Sequence, residues 1–158
     1  MKAARISGIA LSLVSMFIFA IALRAADNLA GTWKVNTAKS SYSPGPAPKS
    51  QTIKIEAIEG GMHEVTDRVS GDGKTVHYEF TAKYDGKDYA VKGDPDRDTV
   101  AVKKVDDFTY EVTSKKGGKV TITSHIVIAR DGKSRTSTMT GTNAQGQKVS
   151  NKVVTEKQ

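Results

Sequence analysis

The chain has no cysteine, and its 158 residues include a single tryptophan and four prolines. Without cysteine, no disulfide can staple the fold, no thiolate can act as nucleophile or metal ligand, and lipid attachment through a cysteine is excluded. Whatever core forms is held by packing alone. Helical periodicity is equally scarce. After Ser50 no window repeats apolar residues at i, i+3, i+4 and i+7, and Thr and Val dominate instead. Three of the prolines crowd into one short stretch, Pro44, Pro46 and Pro48, which therefore cannot join a central strand ladder.

Long apolar runs are confined to the start of the chain. Met1-Lys2-Ala3-Ala4-Arg5 is a short basic opening, and Ile6 to Leu23 is uncharged over 18 residues. Ala20-Ile21-Ala22 offers a small-residue cleavage site, and Ala25-Ala26 offers a second. This is the pattern of a Sec-type secretory signal peptide over residues 1–26, which implies a bacterial periplasmic or secreted protein. The rival reading is an uncleaved anchor, because the run is at the lower limit of what crosses a bilayer. With cleavage, no stable membrane insertion is expected of the mature domain, residues 27–158. The formal charge of +7 also falls, since Lys2, Arg5 and Arg24 leave with the signal and 21 basic residues then face 17 acidic ones. The lysines that remain are spread singly along the chain, which is a solvated surface and not a nucleic-acid footprint.

What the mature chain does have is turns. Gly-Lys pairs recur at Gly73-Lys74, Gly86-Lys87, Gly118-Lys119 and Gly132-Lys133, and Asp precedes three of them. Each separates runs of alternating polar and apolar residues, the strongest short-range signal for a β-hairpin. Strands are expected at about 31–35, 51–58, 62–69, 75–84, 88–92, 98–105, 107–115, 119–129, 133–142 and 147–155. The expected fold is all-β: a single antiparallel up-and-down barrel of about eight to ten strands.

Alternation then sorts the faces. Val76, Tyr78, Phe80, Ala82 and Tyr84 form one apolar face. Val65 and Val69 would bring His63 and Asp67 inward with them, leaving Glu64, Thr66 and Arg68 outside. Ile53, Ile55, Ala57, Val100, Val102, Phe108, Tyr110, Val112, Val120, Ile122, Ile126 and Ile128 are expected inside. Strand 133–142 carries almost no large apolar residue, and Arg135, Ser137 and Met139 share one of its faces. The interior is therefore lopsided, packed on one side and small or polar on the other. A barrel holding water or a ligand would show this, and so would a Thr-rich edge that is simply solvated.

Several sharper motifs fail on spacing. Gly73-Lys74-Thr75 and Gly132-Lys133-Ser134 resemble phosphate loops, but the required upstream glycine positions hold Arg68 and Val127, and strands flank both. Asp94, Asp96 and Asp98 resemble part of a calcium loop, yet its glycine and glutamate positions hold Thr99 and Val105. His63, His77 and His125 do not share a face, so no metal site is expected. No nucleophile elbow is present, nor any assembled set of catalytic roles. No enzyme activity and no cofactor are expected.

Gly31-Thr32-Trp33-Lys34, at the start of an all-β meander, resembles the Gly-x-Trp motif of the calycin superfamily, the lipocalins and fatty-acid-binding proteins. The wider opening, Gly-Thr-Trp-Lys-x-Asn followed by Ser-Pro-Gly-Pro-Ala-Pro-Lys-Ser, is similar to a group of uncharacterised exported bacterial proteins. The calycin resemblance implies a lipocalin-like barrel whose floor Trp33 closes. Where fatty-acid-binding proteins clamp a carboxylate with Arg and Tyr, this chain has Val153 and Thr155, and Arg135 is the candidate substitute cation.

Together these readings lead to a non-enzymatic binding protein for a small hydrophobic or amphipathic ligand, with Trp33, His63, Asp67, Tyr78, Phe80, Tyr110 and Arg135 as candidate cavity lining. The alternatives are a structural or protein-interaction module of the cell envelope with a filled barrel, and a hydrolase or isomerase at the barrel mouth.

Overall fold

The computed structural model describes residues 27–158; the expected signal segment, 1–26, lies outside the described residues. Ten strands follow in sequence: β1 (Gly31–Val35), β2 (Ser50–Ile58), β3 (Gly61–Val69), β4 (Thr75–Lys83), β5 (Asp85–Lys92), β6 (Thr99–Lys104), β7 (Thr109–Lys116), β8 (Lys119–Ile128), β9 (Ser134–Thr142) and β10 (Lys148–Lys157). A short 3-10 turn, Thr37–Lys39, follows β1. Each strand pairs antiparallel with its neighbours in sequence, and β1 pairs with β10 to close the ring. The up-and-down barrel expected from the turn spacing is present, with ten strands.

Asp-Gly chemistry sets three of the corners. Asp72, Asp85 and Asp131 each accept, through Oδ1, the backbone N–H of the lysine two residues on, at 3.1, 3.0 and 2.9 Å. The carboxylate thereby imitates a backbone turn while the intervening glycine takes the positive φ that a side chain would resist.

Ala57, expected inside, is exposed, and two further inward assignments need correction. The five-residue connection between β3 and β4 joins Val69 to Thr75, so residues of like parity face one another: Met62 with Ala82, Glu64 with Phe80, Thr66 with Tyr78 and Arg68 with Val76. An odd-length loop keeps parity. The apolar even face of β4 therefore brings Met62, Glu64, Thr66 and Arg68 inside, and His63 and Asp67 lie outside. The second correction is Val120, 57% exposed. The β7–β8 register shifts between Ser114 and Lys115, and this bulge turns Thr121, not Val120, into the barrel.

The two ends of the barrel differ. At one end Leu29, Trp33, Met62, Ala82, Tyr110 and Ile128 form a continuous buried cluster. Residues 27–30 tuck beneath it: Trp33 donates its indole N–H to the Leu29 carbonyl at 2.8 Å, and Asp27 accepts from Tyr110 and Tyr84. This end is the floor. At the other end the Pro-rich connector, residues 42–48, lies beside the β3–β4 turn, with Gly71 against Pro46. Among the described residues no helix is long and apolar enough to cross a membrane.

Candidate functional site

A cavity of about 420 Å³ runs from the floor to the mouth between these ends. That volume is within the ordinary range of small-molecule pockets. Its aromatic wall is built by alternation on neighbouring strands, with Ile53 from β2 and Tyr78 and Phe80 from β4. The wall formed by β8, β9 and β10 mixes Ile122, Ile126, Met139, Val149 and Val153 with the small or polar Ser124, Arg135, Ser137, Asn151 and Thr155. Strand β9, read from sequence as poor in large apolar residues, contributes Arg135, Ser137 and Met139 to the lining. Tyr42, Pro44, Pro46, Gln51, Asn143 and Gln145 rim the mouth.

Charged side chains enter this cavity from two strands, β3 and β9, and the loop between β5 and β6. Arg135 is 4% exposed and belongs to the deepest layer. Its Nε donates to Thr155 Oγ1 at 3.0 Å, and its guanidinium lies 5.1 Å over the Trp33 ring, an attractive cation–π position. Burial pulls the Arg135 pKa below its ordinary value, and the negative charge of Glu64 opposes that shift. Glu64 accepts at Oε1 from Thr66 Oγ1 at 3.2 Å. Among the described residues, neither Glu64 nor Arg135 forms an ion pair at contact distance.

The other two arginines are paired. Arg97 donates Nε to Asp94 Oδ2 at 3.0 Å and an Nη to Ser114 Oγ at 3.3 Å, and its guanidinium stacks over Tyr78 at 4.7 Å. Burial works against the Arg97 charge, but Tyr78, Glu64 and Asp94 together outweigh it and hold its pKa above the ordinary guanidinium value. Arg68 sits 3.5 Å from Asp96 at the mouth, with its Nε buried and unpartnered. Burial also raises the Tyr78 hydroxyl, with Arg97 opposing and Glu64 adding to the effect.

The sequence-derived candidates divide into three groups. Tyr78, Phe80 and Arg135 line the cavity. Trp33 and Tyr110 are fully buried in the floor beneath it, so they shape its base without lining it. His63 and Asp67 are on the outer surface, where His63 meets Thr81 at 2.9 Å and Asp67 meets His77 at 2.7 Å. Sequence reasoning missed Glu64, Arg68, Asp94 and Arg97. The parity of the β3–β4 connection could have revealed the first two. Asp94 and Arg97 lie in an irregular loop where alternation carries no information. Among the described residues no three His, Asp or Glu side chains gather as a metal site.

No protein-family model matches the chain, and no curated protein matches it in sequence.

Proposed function

We propose that this barrel is an exported, non-enzymatic binding protein that holds a small, partly apolar ligand in its cavity. The observation that carries the reading is the 420 Å³ space bounded by aromatic and branched side chains on one wall and by Arg135, Ser137 and Asn151 on the other. An apolar wall with a few convergent polar groups is how small-molecule sites are usually built. A barrel serving only as a structural module gains nothing from an unfilled interior, whose lining forgoes dispersion contacts. The up-and-down strand order and the tryptophan-sealed floor favour a lipocalin-like barrel, and the basic-then-apolar start of the chain favours export.

Fluorescence titration with the neutral, polarity-sensitive dye N-phenylnaphthylamine tests the reading. The wild type is expected to bind the dye with saturation. Ser137→Phe, which places a ring in the cavity, is expected to weaken binding by about tenfold or more while retaining a cooperative thermal transition. A wild type that takes up no dye would sink the proposal. Native mass spectrometry of the protein isolated from its own host would then identify the class of any co-purifying ligand.

A further inference from the structure

The charges inside the barrel are arranged as two closed pairs and one open pair. Arg97 is matched by Asp94, and Arg68 by Asp96. Arg135 and Glu64 are left. The charge of Glu64 acts on Arg135, both line the same cavity, and among the described residues they make no salt bridge. Arg135 is more than nine-tenths buried, and among the described residues only its Nε has a side-chain hydrogen-bond partner. Its Nη groups are not sealed within the protein, because the buried polar atoms left without a partner are Tyr42 Oη and Arg68 Nε alone among the described residues. Glu64 spends one carboxylate oxygen on Thr66. The cavity thus offers guanidinium donors on the β9 side and a carboxylate acceptor on the β3 side.

Charge signs decide what fits. A ligand with a lone carboxylate would be drawn to Arg135 and repelled by Glu64, and would add an uncompensated negative charge to an interior whose three arginines already balance three acids. A lone ammonium fails in the mirror sense at Arg135. Buried charges are tolerated when paired and hydrogen-bonded, and they are costly otherwise. A head group carrying both signs completes both partners and leaves the interior neutral.

We infer that Glu64 and Arg135 form a dipolar subsite for a zwitterionic ligand, whose cationic group faces Glu64 and whose anionic group faces Arg135, with its apolar part against Tyr78, Phe80 and Ile126. The inference rests on the binding function proposed above and names the ligand class of that same cavity.

Three probes with one octyl tail separate the possibilities: α-aminodecanoate, decanoate and nonylamine, each competing with N-phenylnaphthylamine at neutral pH. The zwitterion is expected to displace the dye at a concentration about tenfold below that of either singly charged probe, because it gains a second charge-assisted contact. Reciprocal variants supply a signature that mere structural damage would not. Glu64→Gln should weaken the zwitterion and nonylamine while tightening decanoate. Arg135→Gln should weaken the zwitterion and decanoate while tightening nonylamine. Dye binding by each variant shows that its cavity is intact. A wild type that binds dye but prefers decanoate, treats the three probes alike or releases dye to none of them overturns the dipolar subsite and leaves the cavity function standing. A wild type that binds no dye overturns both.

Discussion

Tyr110 donates its hydroxyl to Asp27 at 2.5 Å beneath the barrel floor. Tyr84 reaches the other oxygen of the same carboxylate, and its ring meets that of Tyr110 edge-on at 5.4 Å. One acid from the chain segment before β1 thus ties down two aromatic rings at the closed end.

This arrangement sets an alkaline limit to stability. Burial first, and the Asp27 carboxylate second, hold both hydroxyl pKa values well above the ordinary 10.0. The native state therefore keeps protons that the unfolded chain releases. Stability from these groups is full below about pH 10 and falls as pH rises above it. Asp27→Asn removes the negative charge but not the burial, so the alkaline fall in stability should level off at a lower pH than in the wild type, while the variant loses about 1–3 kcal/mol near neutrality from the weakened hydrogen bonds. Urea unfolding from neutral to strongly alkaline pH measures both. A fall that levels off at the same pH in both proteins would mean that Asp27 does not control the tyrosines.

Glu64 and Arg135 should be energetically coupled without touching. Arg135→Met strands Glu64, and Glu64→Gln strands Arg135, whereas the double variant strands neither. The double variant is therefore expected to be more stable than the sum of the single effects implies, with a coupling of about 1 kcal/mol. Additive unfolding free energies would show that the two charges do not sense each other across the cavity.

The mouth has a tight point at Gly71. A Cβ there would overlap Pro46 Cγ and lie 2.9 Å from the Ala47 carbonyl, so Gly71→Ala must push the Pro-rich connector aside. We expect a stability loss of about 1–3 kcal/mol and faster dye release in stopped-flow experiments. If both rates and stability match the wild type, the connector does not guard the mouth.

His63→Ala and Asp67→Ala should leave dye affinity unchanged and stability within about 0.5 kcal/mol, as surface changes usually do. The Asp67–His77 pair is exposed on both sides, where ion pairs contribute little. A large loss of affinity in either variant would put these residues back inside.

Much of the architecture was legible because it depends on local chemistry. Asp72-Gly73, Asp85-Gly86 and Asp131-Gly132 mark chain reversals by their own backbone preferences, and the strong alternation from Val76 to Ala82 assigns that face without reference to a neighbour. Strand β3 was misread because its pattern is ambiguous. Met62 is the single large apolar residue among the four that point inward, and Val65 and Val69 suggested the opposite face. Only the register with β4 decides between them, and register is a property of the pair. The candidate site suffered most, since Glu64 and Arg68 belong to that strand. Arg97 became a site residue through a loop that folds back over Tyr78, a tertiary event that no periodicity records.

The seam between β1 and β10 brings Trp33 opposite Lys157, so the first of the ten strands waits for the tenth. Until β10 has been made, β1 has only β2 beside it, the ring is open, and the floor has no β10 side. Closure of so long a loop is entropically costly and slow compared with making neighbouring hairpins. Among the described residues, the finished ring presents no unpaired strand edge to another copy.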